Sequence, residues 1–411
     1  MLNKLQNEWR MPIIFILLAA MLTAAFISRA VLSLTVISFV LFSFLHKGYK
    51  KQFKDFFHSR LLLGISVLFL LPFISGIWSE NTDQWLKIMR IKLPLLFLPL
   101  AFAAPFGFTD THWRRLHFLF IAIAFITSVW CIIEYARDMP AVNASYLRAK
   151  TMTTPLENDH VRFSWMIAVA ILVGAWHWWR LRHSRDVIFW ILAVVTAWLI
   201  IFLHLLAART GLVSFYIILI AGICWWIFSR KEKKYLPLAL ALLILLPVAA
   251  YMLMPSFRNK VAYFRYESAY LKKAAYLPGS NDAMRVISIH AGWNVMNRKP
   301  LTGVGYGDIS DDMKNEYASK YPGMIEADKI LPSNEWLMYG SGCGWPGFIV
   351  FTGIMIFPFF LRIRGRPGWW LLNITAAFTF IVDIGLEVQY GVFLYVFIVG
   401  LGWKWLLTEN K

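Results

Sequence analysis

Apolar runs of roughly 16–25 residues recur from one end of this chain to the other, and a helix needs about 20 residues to cross the hydrocarbon layer of a bilayer. No water is available there, so each backbone N–H and C=O must be bonded within its own segment, and the runs are helices. They lack the apolar/polar alternation of a membrane barrel. Of the 411 residues, 59% are hydrophobic and only 16% charged, which excludes a soluble enzyme built on one large core. The expected fold is all-α and polytopic, with about 12 transmembrane helices. They fall at 11–27, 30–45, 61–79, 93–107, 116–135, 161–179, 188–206, 211–228, 236–254, 336–361, 369–386 and 388–406. Residues 1–254 supply the first nine helices, 255–335 a large hydrophilic loop and 336–411 the last three, in one integrated membrane domain. Met11–Phe26 follows a basic start with no small-residue cleavage site, so it reads as the first spanning helix and not as a cleaved signal.

The short loops set the orientation. Lys47, Lys50, Lys51, Lys54 and Arg60 share a side with Arg114 and Arg115, with Arg180, Arg182 and Arg185, with Arg230, Lys231, Lys233 and Lys234, and with Arg362, Arg364 and Arg366. By the positive-inside rule that side, and with it both termini, is cytoplasmic. The opposite face receives residues 80–92, whose amphipathic spacing suits the interface, a polar loop at 137–160, and 255–335. A loop of about eighty residues is rarely a mere connector, and this one reads as a small helical cap.

The net charge of +18 does not indicate nucleic-acid binding, because the basic residues are split among many loops and form no stripe. An anionic lipid surface or a phosphorylated lipid accounts for them better. Cys131, Cys224 and Cys343 lie in or beside apolar runs without metal-ligand spacing, so they read as small buried hydrophobes. There is no phosphate-binding loop, dinucleotide fingerprint or zinc-protease motif, and Asp311-Asp312 has no metal-ligand companion. Neither nucleotide nor metal cofactor is expected.

Arg209 stands between the apolar stretches Ile188–Leu206 and Gly211–Phe228. A cation at mid-membrane costs about 2.5–3.5 kcal/mol, less near an interface, and arginines placed so expensively usually meet an anion. Thr210-Gly211 permits close approach of a neighbouring helix or a ligand. Arg285 lies on a helix that Asn281 or Asp282 is expected to cap, on one face with Ile289 and Trp293. Alone it is an exposed loop arginine; together, Arg209 and Arg285 are two guanidinium forks suited to a diphosphate. Residues 331–351 re-enter the membrane, with Ser333 or Asn334 as N-cap, Glu335 in the first turn, and glycines 340, 342, 344 and 347 allowing close packing. His160 and His290 are the histidines placed in outer loops, either able to act as a base near neutral pH. Arg148, Arg162 and Arg265 are neighbouring cations, and Asp383 and Glu387 lie near the outer end of the eleventh helix, where they relay protons or hold the arginines.

The order of ARTGL, RVISIHAGWNVMNRKPLTGVGYGD, SNEWLMYGSGCGWPGFIVF and LEVQYGVFLYVFIVG resembles the O-antigen ligase and O-antigen polymerase superfamily of bacterial membrane glycosyltransferases. The resemblance runs from about residue 160 to the end. It implies a multi-pass protein of the bacterial inner membrane with a periplasmic active face. It implies transfer of a glycan from undecaprenyl diphosphate to an acceptor, lipid A core for a ligase or a growing polymer for a polymerase, without metal or nucleotide. Arg209 and Arg285 match the arginines thought to bind the diphosphate. Where the family has histidine-asparagine this chain has Ser333-Asn334, and a serine hydroxyl does not replace imidazole as a base at neutral pH. His290, His160 or Glu335 then takes that role, or deprotonation is undemanding. On this reading Arg209, Arg285, Ser333, Asn334 and His290 are the catalytic candidates, and His160, Arg162, Arg265 and Glu335 the substrate-binding ones. Two rival expectations are a transporter for an anion or glycan lipid and a non-catalytic assembly protein on the same fold.

Overall fold

A computed structural model describes residues 9–148, 150–230, 236–271, 276, 278–361 and 366–409. Lys231, Lys233, Lys234, Arg362 and Arg364 of the expected cytoplasmic set lie outside the described residues. The described residues are helical throughout and include no strand.

A helical hairpin opens the fold. α1 (Arg10–Ile27) ends at Ser28, whose hydroxyl then caps α2 (Arg29–Ser43) by accepting the Val31 N–H. α3 (Tyr49–His58) turns by 83° into α4 (Arg60–Ser75). The expected interfacial segment is α5 (Thr82–Lys92), capped by Asn81. The run at 93–107 does not form a full crossing: α6 (Pro94–Phe102) has nine residues, with Pro99 inside it. α7 (Asp110–Arg137), α8 (Met139–Tyr146), α9 (Pro155–Asn158), α10 (His160–Arg180), α11 (Val187–Leu206), α12 (Arg209–Arg230) and α13 (Leu236–Leu253) follow. The loop then supplies α14 (Pro255–Leu271), α15 (Asn281–Arg298) and α16 (Ile309–Lys320), and α17 (Glu335–Ile356), α18 (Arg366–Val382) and α19 (Gln389–Glu409) complete the chain.

Among the described residues, six helices are long and apolar enough to cross a membrane, and eight if each of two sharply bent pairs is one span. Arg29–Ser43, Arg209–Trp225 and Pro367–Val382 are shorter apolar helices. The most enclosed spans are His160–Arg180 and Gln389–Thr408, with 61% of each apolar window buried. One bent pair breaks at Pro255, where the chain turns by 99°. α14 carries Arg258, Lys260, Arg265 and Glu267 beyond that break, a charge density that places it outside the crossing.

The loop helices are tied together by charge. Arg298 on α15 pairs with Asp312 and Glu316 on α16, and Asn294 donates to Glu316 at 2.9 Å. Burial opposes ionisation of Glu316, but hydrogen bonds from Lys320 and Asn294 and the Arg298 charge outweigh it and hold its pKa low. The turn after α15 then inserts into α17. Gly344 interrupts that helix with φ +67°, and Trp345 N–H donates to the Pro300 carbonyl at 2.8 Å. A Cβ at Gly342 would lie 2.3 Å from the Tyr306 ring, so only glycine lets this loop seat. Gly342 and Gly344 thus admit the chain's own loop, while Gly340 lets Met296 of α15 approach closely.

Below that turn Lys92 is fully buried. Its ammonium pairs with Glu387 at 2.6 Å, donates to the Leu386 carbonyl at 3.0 Å, and lies 5.1 Å and 5.0 Å from the Tyr306 and Tyr339 ring centres. Glu387 therefore holds a lysine, not one of the arginines.

Candidate active site

Arg209 is placed by the break between α11 and α12. Ala207 takes a left-handed conformation (φ 50°), and its N–H closes α11 on the Leu203 carbonyl. Tyr146 from α8 donates to the Leu206 carbonyl at 2.9 Å and steadies the turn. Gly211 then lets α12 lie against α10: its N–H donates to Ser164 Oγ at 3.1 Å, and a Cβ there would sit 2.5 Å from Ser164. The next charge along this surface is Asp282. Both its oxygens accept from Arg209 Nη1 at 2.6 Å, while the guanidinium lies 4.9 Å from the Phe264 ring centre and stays 40% exposed.

Asp282 stands in the first turn of α15. The N-cap is Ser280, not Asn281 or Asp282 as the sequence suggested: its hydroxyl accepts the Ala283 N–H, and its own proton goes to the buried Glu267 at 2.5 Å. Asp282 is thereby left for Arg209 and complements the helix dipole. Arg285 follows one turn later on the same face. Its Nη1 donates to the Val382 carbonyl, at the end of α18. Asn334 donates to the neighbouring Ile381 carbonyl at 3.0 Å, and its side-chain oxygen caps α17 through the Leu337 N–H at 3.3 Å. Arg285 of α15 and Asn334 of the re-entrant region thus satisfy terminal carbonyls of α18, which have no partners within their own helix.

Ser333 is buried, and its N–H donates to Ser288 Oγ at 3.1 Å; the two hydroxyls are hydrogen-bonded at 3.0 Å. Arg285 and Ser333 line a cavity of about 270 Å³ together with Asp328 and Asp383. Asp328 accepts from Tyr276 and from the Gly279 N–H. Asp383 accepts from Arg162 Nη2 at 2.9 Å, and Arg162 also grips Asp159 at 3.0 Å. Arg162 therefore anchors the carboxylate that faces the cavity.

The remaining candidates lie elsewhere. His290 is exposed on α15, well over a quarter-turn round the helix from Arg285, and is not among the residues lining the cavity. Arg265 is exposed on α14, and His160 is half-buried at the start of α10; neither lines the cavity. Glu335 is fully buried behind it, accepting the Leu386 N–H at 3.2 Å.

Lys260 was not apparent from the sequence. It lies within electrostatic reach of Arg209, Arg285, Asp282 and Glu267, and its pKa falls to about 8, first through burial and then through Arg209. No short pattern marks it, since a lysine between Asn259 and Val261 reads as ordinary loop charge. Lys260 on α14 thus stands within electrostatic reach of Arg209 on α12 and Arg285 on α15, with Asp282 paired to Arg209, beside a cavity that presents a serine hydroxyl and an anchored aspartate. That arrangement suits a multiply charged oxyanion with a nucleophile beside it.

Comparison with known proteins agrees with this chemistry. None of the curated proteins compared matches the chain. Residues 194–352 match the family model described as O-antigen ligase. That stretch contains Arg209, Lys260, Arg285, Ser333 and Asn334, and it supports glycan transfer of ligase or polymerase type by a multi-pass membrane protein. The resemblance read from the sequence is thus borne out over residues 194–352, which are similar to the O-antigen ligase family.

Proposed function

We propose that this chain transfers a glycan from undecaprenyl diphosphate to an acceptor, lipid A core as in an O-antigen ligase, on the periplasmic face of the bacterial inner membrane. The observation that carries the reading is Lys260 within electrostatic reach of both Arg209 and Arg285, with Arg285 lining the same cavity as Ser333 and Asp383. The donor's diphosphate takes over part of the hold that Asp282 has on Arg209, and draws Arg285 from the Val382 carbonyl. As the glycosidic C–O bond breaks, negative charge grows on the departing diphosphate, and preorganised guanidinium groups stabilise it without a metal.

The acceptor hydroxyl attacks the anomeric carbon from the opposite face and inverts it. Its proton passes late to a base. Among the groups facing the cavity Asp383 fits that role better than His290, His160 or Glu335, because Arg162 fixes its position. Such a base is weak, which suffices when proton loss follows bond breaking. Ser333 and Asn334 hold the re-entrant turn against α15 and α18. The test is replacement of Arg209 and Arg285 separately, followed by analysis of glycan on lipid A. Loss of the ligated glycan in both variants is expected; wild-type profiles in both overturn the reading.

A further inference from the structure

A second concave surface lies on the other flank of the Arg162 ion pairs. Along α2, residues 29, 32, 36 and 40 recur at helical spacing on one face, with Ser33, Ile37 and Leu41 beside them. This face forms one wall of a groove of about 480 Å³, whose other wall is the start of α6 and the start of α19, with Phe97 and Phe393 projecting into it. Ile37 and Leu41 are more than half exposed along its length, so it opens sideways toward the surrounding lipid. From residue 29 to residue 41 the wall runs roughly 18 Å at the helical rise, the reach of a medium-length acyl chain.

The groove is apolar over most of that length and charged at one end. Arg29 and Arg90 stand at the mouth with Asp159 and Gln389. Arg29 donates to the Leu156 carbonyl at 3.1 Å and lies 5.8 Å from the Tyr390 ring centre, which fixes its position; Arg90 is exposed. Asp159, at this mouth, is paired with Arg162, and Arg162 with Asp383 in the wall of the Arg285 cavity. One arginine therefore separates the head of the groove from the candidate reaction centre. The Arg209, Lys260 and Arg285 group lies on the opposite flank, against α14 and α15.

We propose that this groove binds the acyl chain of the acceptor, a phosphorylated glycolipid, with its phosphate at Arg29 and Arg90 and its sugar head reaching over Asp159 and Arg162 toward Asp383. The chemistry matches at both ends: an apolar slot open to the bilayer for a hydrocarbon chain, and two guanidinium groups for a phosphate. The assignment to the acceptor rests on the proposed function, in which the cations on the far flank hold the donor's diphosphate.

The test measures binding of diphosphoryl lipid A, its dephosphorylated form and undecaprenyl diphosphate to the full-length protein in nanodiscs by native mass spectrometry. The R29Q/R90Q variant should bind diphosphoryl lipid A at least tenfold more weakly, to the level of the dephosphorylated form, while undecaprenyl diphosphate binding is unchanged. R29K/R90K should restore part of the affinity. Independently, a photo-crosslinking side chain at Ile37 should label lipid A in otherwise unaltered protein, and I37W should block that lipid alone. Unchanged lipid A binding in R29Q/R90Q, or no label from position 37, overturns the proposal. Loss of undecaprenyl diphosphate in place of lipid A also overturns it, since the groove would then hold the donor's chain. Arg285→Gln separates the two readings: wild-type lipid A binding with no effect on donor binding or transfer defeats the proposed function and leaves the groove standing.

Discussion

The lysine beside the two arginines makes the diphosphate site sensitive to pH in a range where a glycosyl diphosphate diester does not itself titrate. Burial, assisted by Arg209, brings Lys260 from its ordinary 10.5 down to about 8. Below pH 8 the ammonium is charged and attracts the anion; above it the free protein has lost that charge. A bound diphosphate stabilises the charged form, so binding above pH 8 takes up a proton. If the anion restored the ordinary value completely, affinity would fall about 300-fold in all from well below pH 8 to well above pH 10.5, equivalent to ~3.4 kcal/mol. Lys260 is only half-buried, and solvent screening at such a position removes roughly half of that free energy, which leaves about 20-fold. In the unliganded protein the same group acts in the other direction: the unfolded chain holds the proton more tightly, so stability rises with pH from 8 to 10.5. Undecaprenyl diphosphate binding to the nanodisc-embedded protein, titrated from pH 7 to 10.5, reads the effect directly. Lys260→Met should bind more weakly at pH 7 and lose the decline, and Lys260→Arg should stay tight across the range. Parallel profiles for wild type and Lys260→Met would refute the placement of this cation in the site.

Three other perturbations probe separate parts of the account. Gly342→Ala places a methyl group 2.3 Å from the fully buried Tyr306 ring, so thermal unfolding should show a loss of about 1–3 kcal/mol as the 300–306 turn is forced from its seat in α17. Glu387→Gln removes the ion-pair partner of the fully buried Lys92 ammonium, with an expected loss of about 3–5 kcal/mol. Adding Lys92→Met to that variant should recover much of the loss, and a double mutant no better than the single one would contradict the assignment. Asp383→Asn should lower transfer by about 10²–10⁴-fold while leaving undecaprenyl diphosphate affinity unchanged, and transfer near the wild-type rate would remove Asp383 as the base.

Hydropathy made the helical, many-pass character of the fold legible, because lipid gives the backbone so few choices. It overstated residues 93–107, where Pro94 and Pro99 shorten an apolar run into nine helical residues. It also could not reveal the bend at Pro255, which carries α14 and Lys260 to Arg209. The two arginines were legible from cost and spacing, but not Asp282, which pairs with Arg209 one turn before Arg285. The N-cap was misplaced by one or two residues because Ser280, Asn281 and Asp282 are all good caps, and only the buried Glu267 selects the serine. His290 looked chemically suitable, yet the face of α15 that meets the cavity is set by Asn281, Met284 and Arg285, and His290 is not on it. Lys92 was the least legible residue. It reads as the polar edge of an interfacial helix, and its partner Glu387 lies 295 residues further along the chain. Asp383 appeared only as a membrane-end carboxylate until Arg162 and the cavity wall gave it an orientation.

The central claim is that guanidinium groups on α12 and α15 together hold the diphosphate of a polyprenyl-linked glycan. Its most direct measurement is the affinity of purified protein in nanodiscs for undecaprenyl diphosphate, in wild type, Arg209→Gln, Arg285→Gln and the double variant. Each single change should weaken binding by about 10–100-fold, the worth of one charge-assisted contact, and the double variant should lose less than the product of the two because both grip one anion. Affinity unchanged in both single variants would contradict the account.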